Sequence, residues 1–106
     1  GEIVGVTVAN GAVITAGDTN YTTVAVKVGS NTVAGRSTRV AGTETAPVTG
    51  GNISADTPEN LTLTTTTANK KFTSSSVIHI VKTHGASGIQ LTDFTLAIHY
   101  IYGYED

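Results

Sequence analysis

The sequence predicts an all-β sandwich in one domain spanning 1–106, and three observations carry that prediction. Apolar residues recur at every second position in several short runs, which is the period of a strand with one face buried. Turn-forming Gly, Asn, Asp and Pro punctuate those runs roughly every 8 to 12 residues, a spacing typical of antiparallel sandwiches. No stretch sustains helical periodicity, so about eight short strands account for the chain.

The anchor of the pattern is 93–104, Asp-Phe-Thr-Leu-Ala-Ile-His-Tyr-Ile-Tyr-Gly-Tyr. In an extended strand Phe94, Leu96, Ile98, Tyr100 and Tyr102 share one face, and Thr95, Ala97, His99 and Ile101 share the other. Burying each large aliphatic or aromatic side chain of the first face is worth roughly 1.5 to 3 kcal/mol, so the register is strongly set. The change from aliphatic residues to tyrosines predicts that the strand leaves the core for a half-wet rim.

The N-terminal run alternates, with Val4, Val6 and Val8 on one side and Ile3, Gly5, Thr7 and Ala9 on the other. Asn10-Gly11 signals a turn, after which 12–15 is expected to form a second strand or the far side of a hairpin. The turn at 16–20 leads into 21–28, where Val24, Val26 and Val28 form an inward row. The next run, 32–40, carries Arg36, Arg39 and several small residues, and reads as an edge strand guarded by charge. Residues 41–51, with Gly42, Pro47 and Gly50-Gly51, read as a long surface loop.

A strand over 59–64 with Leu61 and Leu63 inward follows, with 65–67 as its extension and 68–71 as a break. Phe72 is expected to plug one end of the sandwich, and Ser74-Ser75-Ser76 to form a loop. Residues 77–83 read as a strand apolar on both faces, with Ile78 and Ile80 on the inward one and Val77, His79 and Val81 on the other. A two-layer domain covers one face of each sheet, so this outer face calls for a further cover. The loop 84–88 leads to Ile89 and Leu91, which anchor the return into the last strand.

Composition narrows the function. The net charge is −2, and the six Lys and Arg residues are scattered, which argues against a nucleic-acid footprint. No run approaches the roughly 18 apolar residues of a membrane helix, and the N-terminus lacks the pattern of a secretory signal, so a chain off the membrane is expected. The absence of cysteine removes thiolate chemistry and disulfides. With only 13% charged residues, replaced by Thr and Ser, the surface suits burial against other protein.

The candidate chemical groups read as structural. His79 and His84, five apart, face opposite sides of a continuous strand, whereas His79 and His99 would meet if their strands were neighbours, in one subunit or across subunits. Asp18, Asp56 and Asp93 sit where Asp commonly bonds nearby backbone amides, and Asp18 and Asn20 lack the acid-rich loop of a calcium site. No catalytic residue, metal ligand or cofactor is therefore assigned. The stripe Tyr100, Tyr102 and Tyr104 is the one feature resembling a sugar platform, although tyrosines of this kind more often close a core or line an interface. The sequons at Asn20, Asn52 and Asn60 are expected by chance in so Thr-rich a chain.

The order of these features carries a resemblance: the early Val-rich strand, the turn 15–21, the Thr/Val strand to Val28, Asp56-Thr57-Pro58 before Leu61-Thr62-Leu63, Lys82-Thr83-His84-Gly85, and the last strand begun through Leu91. Together they resemble the small jelly-roll modules of tailed-bacteriophage structural proteins, among them capsid decoration or cement proteins. Ser74-Ser75-Ser76 stands where many such modules have a Gly-Asp turn. The resemblance implies a non-enzymatic homotrimer on the virion's capsid surface that bridges major capsid protein subunits, with no nucleic-acid or membrane partner. The interface residues expected on this reading are Val77, His79, Val81, His99, Ile101, Tyr102 and Tyr104. A receptor- or glycan-binding head of a tail or fibre protein is the alternative. A cupin-type metal enzyme is a third reading, and it lacks converging His and Glu ligands.

Overall fold

The structure, a computed structural model, describes residues 1–102. Seven strands form two sheets. The strands are β1 (Glu2–Ala9), β2 (Tyr21–Val28), β3 (Asn31–Ser37), β4 (Val48–Gly50), β5 (Glu59–Asn60), β6 (Ile78–Gly85) and β7 (Thr95–Ile101), with one 3₁₀ turn at Thr67–Lys70. One sheet has the order β5-β1-β7 and the other β4-β3-β2-β6. All pairings are antiparallel except β3 with β4, which run parallel.

The sheets face each other across a core built by valine alternation. Ile3, Val6 and Val8 of β1 meet Val26 of β2, Val33 and Ala34 of β3 and Leu61, with Phe72, Phe94, Leu96 and Ile98 packed around them. The inward face predicted for the last strand is therefore the one that packs on the core. Phe72 also lies at the end of the sandwich as expected, its backbone N–H donating to Gly1 O over 2.9 Å.

Several sequence expectations are corrected. β1 pairs with β7 through a register shift between Ile3 and Gly5, which rotates Ile3 onto the face of Val6 and Val8 and leaves Val4 exposed. Strict alternation had placed Val4 on the side of Val6 and Val8, and Ile3 on the opposite side. Residues 12–15 form no strand, only a bridge between Ile14 and Ile53. The 59–64 strand shrinks to two residues plus an isolated bridge from Leu63 to Ala34. Residues 48–50 of the expected loop form β4, and β6 continues through His84 and Gly85.

The largest correction concerns β3, which lies between β2 and β4 rather than at an edge. A second register shift, between Val26 and Lys27, lets both Val33 and Ala34 into the core. Arg36 is opposite Val24 and so points inward with it, at 9% exposure. Its Nη2 donates to Glu59 Oε1 over 2.9 Å and to Asn52 O over 2.5 Å, while Nη1 donates to Ser37 O over 3.3 Å and Thr49 O over 3.5 Å. A buried guanidinium is tolerable only with such a full set of acceptors. The same contacts tie β4 and β5 to β3, so these two short strands close one side of the sandwich.

Candidate functional site: an open side between two edge strands

The opposite side is bounded by β6 and β7, the terminal strands of the two sheets among the described residues. Ile78 is opposite Val28 and Ile80 opposite Val26, so both point inward as predicted. They are nevertheless 38% and 60% exposed. The sheet that should shelter them stops at β7, one strand short. Their assignment to the covered core is thus corrected: the face is right, but the described residues cover it only in part.

At the far end of β6 the covering is better. The Thr22 hydroxyl, buried on β2 opposite His84, donates to Ile89 O and accepts from Ile89 N, each over 2.6 Å. Thr22 N in turn donates to Thr38 Oγ1 over 2.9 Å, and Thr38 N returns a bond to Thr22 O over 3.0 Å. Asn10, also buried, accepts from Thr92 N over 2.8 Å and donates to Ala12 O over 2.8 Å. Thr22 and Asn10 thereby fix the 86–92 segment over one end of the sandwich. Neither position stood out in the sequence, because a buried threonine looks like any other in a Thr-rich strand, and Asn10-Gly11 looked like a hairpin turn.

The predicted interface residues divide between the two edge strands. Val77 precedes β6 and is exposed, its carbonyl accepting from Gly29 N over 2.9 Å. His79 is exposed opposite Lys27, and Val81 is half-buried opposite Ala25. On β7, His99 is exposed opposite Gly5 with Nε2 3.1 Å from Thr7 Oγ1, and Ile101 is exposed opposite Glu2. His79 and His99 lie in different sheets, so they are not cross-strand neighbours. Tyr104 lies outside the described residues. Among the described residues no three His, Cys, Asp or Glu side chains converge on a point that could hold a metal ion.

Tyr102 is 81% exposed and stands edge-on to Tyr100, with centroids 5.3 Å apart, and Tyr100 stands edge-on to Phe72 at 5.7 Å. Such T-shaped contacts suit the ring quadrupoles. Tyr102 raises the Tyr100 phenol above its ordinary pKa, by hydrogen bonding first and by charge second. Phe72, Tyr102, Gly1, Thr73 and Ser74 line an adjoining cavity of about 490 Å³. Comparison with protein-family models, curated proteins and solved structures gives no match to this chain.

Proposed function

We propose that this chain is an assembly module: a non-enzymatic virion structural protein of the decoration type, trimeric, seated on a phage capsid and bridging major capsid subunits. The observation that supports an assembly role is the exposed apolar set along one side, Val77, Ile78 and Ile80 with Tyr100, Ile101 and Tyr102. Apolar surface concentrated on two adjacent strand edges is a common mark of an interaction site. The capsid setting and the jelly-roll description rest on the order of strands and turns in the sequence. Many contacts repeated by symmetry would give the shell its reinforcement through avidity. The test is co-sedimentation with undecorated capsid shells: saturable binding is expected, and no binding at any concentration would remove the capsid reading.

A second reading, a glycan-binding head, is favoured by one observation, the exposed Tyr102 ring beside the 490 Å³ cavity. An aromatic face next to hydroxyl-bearing Thr73 and Ser74 suits a sugar ring. Glycan binding lost on Tyr102→Ala with assembly intact would support it.

A further inference from the structure

The two sides of the sandwich are finished differently. On one side the edges are β4 and β5, three and two residues long and held by the Arg36 contacts, which makes them poor templates for another strand. On the other side the edges are β6 and β7, eight and seven residues long. Across those fifteen positions the only formally charged residue is Lys82. Edges of this length are ordinarily protected by charge, proline or a covering segment.

The geometry of the open side is also self-complementary. Glu2 is opposite both Ile101 and Lys71, and Thr64 N bonds Val33 O, so β1 starts, β7 ends and β3 starts at one end of the sandwich. Val28 is opposite both Asn31 and Ile78, so β6 starts at that end too. Hence β6 and β7 run in opposite directions on the same side, in different sheets. Rotation about an axis parallel to the strands and lying along that side preserves these directions. It sets β6 of one copy antiparallel beside β7 of the next.

We propose that the open side is filled by a second copy of this chain, β6 of one copy adding antiparallel to β7 of its neighbour. The three-stranded sheet then gains its missing fourth strand, and the inward faces carrying Ile78 and Ile80 are covered across the contact. Lys82, towards the end of β6, and Asp93, at the head of β7, come to the same end of the new pair, so opposite charges lie on the two sides of the contact. The pairing is heterologous, each edge being used once, and a pure rotation about that axis closes it into a ring, where an added translation would give an open filament. With three copies it is the trimer contact of the function proposed above, on whose self-association it rests.

The test is sedimentation equilibrium of the intact chain, of Ile80→Lys, and of Val13→Lys as an exposed control away from this side. Ile80 is 60% exposed, so a lysine there leaves the isolated fold in place, which circular dichroism checks, while a second unpaired charge on the inward face beside Lys82 disfavours the contact. Ile80→Thr provides a milder variant of the same site. The expected result is a trimer for the intact chain and for Val13→Lys, reduced to a single chain by Ile80→Lys and weakened by Ile80→Thr. A dimer dispersed by Ile80→Lys would uphold the edge pairing and overturn the three-fold reading. An intact chain that stays monomeric, or an oligomer indifferent to Ile80→Lys, would overturn the pairing, and capsid co-sedimentation would then judge the decoration reading separately.

Discussion

Ile80 and Val26 are cross-strand partners on the same inward face, yet Val26 is fully buried and Ile80 is largely exposed. One strand position separates a closed core from an open one. The difference predicts opposite mutational responses. Val26→Ala should cost about 2 kcal/mol by leaving a cavity among close-packed neighbours. Ile80→Ala should change the stability of the separated chain by about 0.5 kcal/mol or less. Urea denaturation of dilute protein measures both, and equal losses would contradict the exposure assigned to Ile80.

The Arg36–Glu59 pair predicts a second asymmetry. Glu59→Ala removes the one carboxylate facing a guanidinium that is 9% exposed. Because Glu59 keeps a quarter of its own surface in water, the expected loss is about 2 to 3 kcal/mol, below that of fully buried pairs. Arg36→Lys should fare little better, since an ammonium lacks the planar fork that reaches Asn52 O and Glu59 together. Thermal unfolding of the two variants is the check.

Thr22→Val keeps shape but deletes a hydroxyl that both donates to and accepts from Ile89. The orphaned buried groups should cost about 1 to 3 kcal/mol. Hydrogen exchange should quicken selectively at the Ile89 amide, marking release of the 86–92 segment rather than global loosening.

How much of this was legible in the sequence depends on whether the determining contact is local. The Val24, Val26, Val28 row and the Phe94, Leu96, Ile98 face follow from two-residue periodicity and survive in the fold. Val4 and Ile3 exchanged sides because a bulge breaks that period, and Gly5, a residue type that often marks a bulge inside a strand, was the one local signal of it. Arg36 suggested an edge because a lone cation is usually solvated. Its burial depends on Glu59, 23 residues on, and on carbonyls of Ser37, Thr49 and Asn52. An outer contact was expected around Val77 and Val81; the exposed apolar side chains at this strand are Val77 and, on the inward face, Ile78 and Ile80. Alternation identifies which face they occupy, and only the strand count of the facing sheet tells whether that face is covered.

Gly85 predicts a steric effect. It lies opposite Tyr21, and a Cβ there would overlap the Tyr21 ring. That ring also carries the Arg39 guanidinium at 5.1 Å. Gly85→Ala should displace Tyr21 and destabilise the fold by about 1 to 3 kcal/mol, with a changed tyrosine near-ultraviolet dichroism.

Tyr102→Phe should bring the Tyr100 phenol down towards its ordinary titration range, because the hydrogen bond and the charge that raise it both come from Tyr102. Ultraviolet difference titration against the parent chain reads the shift. No downward movement would contradict the pairing of these two rings.

The proposed completion of the β6 and β7 edges by another copy is tested most directly by hydrogen exchange along those two strands, followed over a wide dilution range. Edge amides of 78–85 and 95–101 that are protected at high concentration and lose protection together on dilution are the predicted result. Fast exchange at those amides, unchanged with concentration, would contradict it.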